Sequence, residues 1–141
     1  MIWIALAAFV IGINTQNWLF LLPGTIAHEC LHYIVGWFTG AEPKNFTVQP
    51  KDGVYGEVWF TGLNHLNALP VAVAPLLAIP VAYIGLTVLE PRDTVLTLIY
   101  GWVFGVMIAQ SWPSRQDWSI VREYWQGSLV WIVAIFWLTI H

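Results

Sequence analysis

The chain has 141 residues, of which 58% are hydrophobic and only 9% charged, and its mean hydropathy is +0.67. That balance excludes an ordinary water-soluble domain. A formal charge of −3, with five Lys and Arg in all, leaves no basic patch for nucleic acid. Asp, Glu, Lys and Arg are absent from residues 1–28, 58–89, 94–114 and 124–141, and each gap is close to the ~20 residues that cross ~30 Å of hydrocarbon. Such gaps in so short a chain leave room for one domain, 1–141, an all-α integral membrane helical bundle of about 4–5 transmembrane segments. The lone Cys30 allows no internal disulfide.

Residues 2–22 make the first predicted span, although Asn14-Thr15-Gln16-Asn17 in its middle must face protein or water. It lacks the basic flank and small-residue cleavage site of a signal peptide and is expected to be retained. Pro23-Gly24 should break the pattern, with a second, shorter helix over residues 25–38 that stops near Gly40. NFTVQ and VYGEVWF then flank Pro50-Lys51-Asp52-Gly53, a pairing of strand and turn residues that predicts a short β-hairpin at the membrane surface. Residues 66–89 form the third span, in which Pro70, Pro75 and Pro80 each delete a backbone donor. Glu90-Pro91-Arg92-Asp93 is a tight polar connection to a fourth span over 94–112, and a polar, Trp-studded stretch over 113–126 precedes a last apolar segment, 127–140. Trp131 and Trp137 in that segment suit a membrane interface. With five segments Lys44, Lys51, Arg115 and Arg122 share one side, which the bias of basic residues makes cytoplasmic.

His28-Glu29-Cys30-Leu31-His32 has the form HExxH. On a helix the two imidazoles sit one turn apart and about 40° round from each other, so both can reach one metal ion. Glu29 lies on the adjacent row, where a carboxylate can take a proton from water without becoming a ligand. The helical direction of Cys30 leads away from the histidines, and it is read as structural. An ionisable triplet in an apolar helix costs on the order of 2.5–3.5 kcal/mol per central charge on insertion scales, so it must face the bundle interior or a polar cavity. The histidine row reads Gly24, His28, His32, Gly36, Gly40, and these glycines let a helix or an extended peptide approach closely. The plainer reading is a pair of histidines hydrogen-bonded across helices.

A catalytic zinc site takes three protein ligands and keeps one open position. Asp117, His65, Glu57, Glu90 and Asp93 are the candidates for the third. Asp117 ranks first, because Pro113 can bend the chain after the fourth span back towards the bundle; Ser114 and Asp117 also read as a capping box opening a surface helix. His65 stands at the mouth of the third span, either as a ligand or as an interfacial polar side chain. Asn64 and Asn67 could bind a substrate carbonyl or cap a helix, and Tyr33 could orient Glu29 or simply pack. The polar patch at 14–17 and the Pro-rich span are the features most able to line a water path. A strand of the hairpin could recruit an extended peptide by main-chain hydrogen bonds, or the hairpin could be a packed interfacial loop.

HECLH in an apolar helix, a following hairpin, a Pro-rich span and an Asp after the next span together resemble the site-2-type intramembrane zinc metalloproteases, most nearly their compact bacterial and archaeal forms. The likeness covers most of residues 20–120, with HExxH its one sharp motif; around Asp117 the chain has Ser-Arg-Gln-Asp-Trp where the family has Asn-Pro and Leu-Asp-Gly. The resemblance implies a multi-pass protein of a prokaryotic cell membrane, surrounded by lipid, with His28, His32 and Asp117 binding Zn2+ and Glu29 as general base. It implies a zinc-dependent endopeptidase that cuts transmembrane or membrane-proximal peptide substrates. The alternative is a non-proteolytic metal-binding membrane protein, either an inactive homologue or an assembly factor.

Overall fold

The computed structural model describes residues 1–50 and 55–140. The chain is mostly helical, with one short antiparallel sheet. Helices α1 (Ile2–Asn14) and α2 (Trp18–Phe38) are followed by strands β1 (Pro43–Thr47) and β2 (Glu57–Phe60). A continuous rod comes next, made of α3 (Ala68–Val73), a 3-10 turn (Ala74–Leu77) and α4 (Ala78–Val88), and after it α5 (Thr94–Ala109), α6 (Arg115–Glu123) and α7 (Trp125–Ile140).

The first predicted span is not a straight helix. α1 and α2 meet at 100° across Thr15-Gln16-Asn17, so the polar patch is a corner, and α2 starts seven residues before the predicted second helix. Asn17 causes the break by accepting the Phe20 N–H through its side chain at 3.2 Å, which opens a new helix there. Pro23 then lies inside α2; it withholds one N–H from the Leu19 carbonyl and does not end the helix. Gly40, at φ +74°, ends it instead, with the Ala41 N–H bonded back to Gly36 at 2.8 Å, a left-handed cap that a residue with a Cβ adopts only under strain.

α1 and α5 pack through small residues. Ala5, Ala8 and Gly12 face Gly101, Gly105 and Ala109: a Cβ on Gly12 would stand 2.8 Å from that of Ala109, and one on Gly105 would strike the Ala5 carbonyl. Small residues at these positions let the two helix backbones approach closely. Leu21 and Val106 complete the buried centre with Ala8, flanked by Phe20 and Trp102, and Trp102 Nε1 donates to the Phe20 carbonyl at 3.2 Å.

β1 and β2 pair with Pro43 opposite Phe60 and Thr47 opposite Glu57, the hairpin that the sequence predicts, while its predicted turn at 51–53 lies outside the described residues. The hairpin is tied to the α1–α2 corner by Trp18 Nε1 donating to Val48 and Tyr55 Oη donating to Gln16. α7 is held at its start: Gly127 lies against the His65 carbonyl, and Trp131 Nε1 donates to the Leu66 carbonyl at 2.6 Å. Pro70, four residues after Leu66, has no N–H to compete for that oxygen. Beyond Trp131 the helix is apolar and outward-facing, with Leu138 70% exposed. Among the described residues one helical run, Ala68–Val88, is long and apolar enough to cross a membrane, and the bent α1–α2 pair passes the same test only when taken together.

Candidate metal centre

α2 carries the core of the site. His28 and His32 lie four residues apart on it, so their rings share one face, edge to face, with Nε2 atoms 3.2 Å apart. Asp117 reaches them from α6, with Oδ1 3.1 Å from His32 Nε2 and Oδ2 3.5 Å from His28 Nε2. This is a group of His, His and Asp, its ligand atoms all within 4.8 Å of one another, that could hold a metal ion. Bonds of ~2.0–2.1 Å at tetrahedral angles place neighbouring ligand atoms ~3.3–3.4 Å apart; the two Nε2 atoms stand at about that separation, while the carboxylate turns one oxygen to each imidazole.

Two backbone carbonyls fix the imidazoles. His28 Nδ1 is 2.7 Å from the Gln110 carbonyl oxygen and His32 Nδ1 is 2.8 Å from that of Val71. A carbonyl only accepts, so each Nδ1 carries a proton and donates, which leaves each Nε2 facing the shared point, as a lone pair towards a cation or, without one, as the place for a proton shared with the Asp117 carboxylate. Protonating both Nε2 atoms as well would set two cationic N–H groups 3.2 Å apart, which like-charge repulsion in a buried site opposes. One cation among the three satisfies all of them.

Both carbonyls keep a lone pair for this duty because of local sequence, the Val71 oxygen accepting the Ala74 N–H on its other one. Gln110 caps the C-terminus of α5, where carbonyls run out of helical donors. Val71 stands four residues before Pro75, so the N–H that would normally bond its oxygen is missing. The sequence shows that Pro75 deletes a backbone donor; the i, i+4 spacing adds that the carbonyl it spares is that of Val71.

Asp117 is both a ligand candidate and a cap. Its Oδ2 accepts the Ser114 N–H at 2.6 Å while the Ser114 hydroxyl accepts the Asp117 N–H at 3.2 Å, a reciprocal capping box at the start of α6. The two sequence readings of Asp117 therefore coexist: the cap holds one oxygen and leaves the other towards His32. Burial works against the Asp117 charge, but the contacts with His28 and His32 and the Ser114 bond outweigh it and hold the carboxyl well below the usual carboxylate range.

Glu29 is 7% exposed. Among the described residues nothing hydrogen-bonds it, and no buried side-chain oxygen is left sealed without a partner, so its carboxyl opens into the adjoining cavity. That cavity measures about 530 Å³ and is walled by α2, by residues 55–58 and Phe60, and by the end of α5 and start of α6. Gly56 stands so close that an added Cβ would lie 2.9 Å from Glu29 Oε1. The flanking glycines of the histidine row serve the frame: a Cβ on Gly24 would lie 2.5 Å from the Val106 carbonyl oxygen, and one on Gly36 would lie 2.5 Å from the Phe60 ring.

The remaining candidates stay apart from the centre. His65 is exposed, its ring edge-on to Tyr124 at 5.4 Å. Glu57 lines the cavity without joining the ligand group, Glu90 is exposed, and Asp93 caps α5 by accepting the Leu96 N–H. Asn64 and Asn67 cap the turn before α3, with Asn67 also donating to Thr39 and Gly62. Tyr33 packs on Phe46. Among the described residues neither the polar corner nor the Pro-rich rod lines the cavity, contrary to the expected water path: the corner is occupied in holding the hairpin, and the rod lies behind His32. Comparison with protein-family models, characterised proteins and solved structures gives no match to this chain, so its chemistry rests on geometry alone.

Proposed function

We propose that the chain is a zinc-dependent endopeptidase embedded in a membrane, with about 4–5 apolar segments around a single buried hydrolytic site. The observation that carries this reading is the convergence of two Nε2 lone pairs and the Asp117 carboxylate beside a separate carboxyl, Glu29, that opens into a cavity. Zinc suits the donor set, two imidazoles and a carboxylate. Held there, it would supply Lewis acidity towards water and a peptide carbonyl. The membrane setting is supported by the 21-residue apolar rod over Ala68–Val88, by the small-residue α1–α5 contact and by the outward apolar surface of α7.

In this mechanism Glu29 takes a proton from the water that attacks the peptide carbonyl carbon and returns it to the departing amine nitrogen as the C–N bond breaks. His28 and His32 remain neutral donors throughout, their Nδ1 protons engaged by Gln110 and Val71. Gly56 brings the chain entering β2 against the general base, so a substrate stretched along that strand lies within reach of Glu29; an extended backbone is what a protease requires. Three ligands and an adjoining cavity leave room for substrate, which favours this reading over a closed metal-storage site.

Replacing Glu29 by Gln tests the proposal in reconstituted membranes with a transmembrane peptide library. Zinc content should match wild type while cleavage falls by at least about 100-fold, the scale of general-base catalysis. Equal cleavage by Glu29→Gln would overturn the assignment.

A further inference from the structure

The proline of the 3-10 turn has a consequence for the metal centre. The Val71 oxygen already accepts two hydrogen bonds, one from the Ala74 N–H and one from His32 Nδ1 at 2.8 Å. A carbonyl has two lone pairs, so both are in use. In an uninterrupted α-helix the N–H of residue 75 would point at the same oxygen, but Pro75 has none, and it is itself buried beside Val71 in the wall behind His32. We infer that Pro75 is a positioning residue for the metal site: it withholds the one backbone donor that would compete with His32 for Val71, and so fixes the ring's tautomer and direction.

The neighbouring prolines set the comparison. Pro70 releases the Leu66 carbonyl for Trp131, which fastens α7. Pro80 releases the Leu76 carbonyl, which among the described residues accepts no side-chain donor. Of the three prolines in the rod two release a carbonyl to a side chain, and only Pro75 serves a candidate metal ligand.

The inference rests on the zinc reading, and its test separates the two. Full-length protein in detergent is loaded with zinc, and with cobalt as a spectroscopic substitute, and affinity is measured by chelator competition. Pro75→Ala restores an N–H at that position and should weaken zinc binding by about 10- to 100-fold, the usual effect of losing a partner behind a ligand, with a changed cobalt absorption band. Pro80→Ala should leave both unchanged. In a second form of Pro75→Ala the backbone amide at 75 is replaced by an ester, with the same methyl side chain and no N–H; affinity and spectrum should return to wild type. Unaltered zinc affinity and cobalt spectrum in Pro75→Ala, or no rescue by the ester, overturns the role of Pro75 and leaves the metal site standing. Failure of wild type itself to bind zinc overturns the metal reading instead. Should Pro75→Ala not fold, the ester form alone decides: a folded, wild-type-like ester supports the N–H argument, and a folded ester with weak binding refutes it.

Discussion

Gly24→Ala probes the coupling between packing and ligand placement. The added Cβ would lie 2.5 Å from the Val106 carbonyl oxygen, 2.8 Å from Val106 Cγ1 and 2.9 Å from Gln110 Cγ. Ordinary contacts begin near 3.4 Å, and the nearest obstacle is backbone, so α5 must retreat by about 0.9 Å, an overpacking that costs about 1–3 kcal/mol. Gln110 caps the same helix and its carbonyl holds His28 Nδ1 at 2.7 Å; a retreat of that size stretches the bond to about 3.6 Å, beyond hydrogen-bond range. The variant should therefore melt earlier and bind zinc about 10-fold or more less tightly. Gly85→Ala is the control: the atoms nearest its Cβ are the far end of the Phe104 ring and not α5 backbone, so the side chain can swing aside and zinc affinity should stay at the wild-type value. Thermal unfolding and chelator competition on both variants measure this. Wild-type zinc affinity in Gly24→Ala would refute the proposed path from helix packing to His28.

Two further outcomes follow from the α6 cap. Ser114→Ala removes the hydroxyl that accepts the Asp117 N–H and should cost about 1 kcal/mol of stability, with looser zinc binding because Asp117 loses half of its frame; equal affinity in a destabilised variant would separate the cap from the site. The pH dependence of the metal-free protein has a definite sign. The folded Asp117 carboxyl lies below its ordinary value of 3.8, so its contribution is fully present above that pH and is lost as pH falls below it. Unfolding curves of wild type and Asp117→Asn should converge as the pH drops below about 4; a gap that stays constant into acid would contradict the Asp117 assignment.

The chemistry of α2 was legible because it is local. His28, Glu29 and His32 are placed by one turn of helix, and no tertiary contact is needed to see that two imidazoles share a face. Asp117 was nominated by its place after the fourth apolar segment, and the structure brings it within 3.1 Å of His32; what the sequence left open was whether it capped α6 or faced the histidines, since both uses need the same carboxylate and only the fold reveals that its two oxygens divide the work. The carbonyl partners were harder. Val71 and Gln110 lie 39 and 82 residues from the histidines they hold, and a backbone oxygen leaves no mark in composition, although a proline four residues downstream is a usable sign. The start of α2 departs from the sequence expectation because Pro23, in the second turn of the helix, withholds a single N–H and is tolerated, while Asn17 and its bond to Phe20 open the helix. The Gly101, Gly105, Ala109 row was readable as a helix-packing motif and is the clearest sequence signal for the α1–α5 contact.

The most direct measurement is the zinc content of purified protein, with wild type beside His28→Ala, His32→Ala and Asp117→Ala. Wild type should hold one zinc per chain, and each variant should lose tight binding, because every one removes a member of a three-ligand site. A wild-type protein free of zinc after loading, or an Asp117→Ala protein that retains it with unchanged affinity, would contradict the centre drawn here.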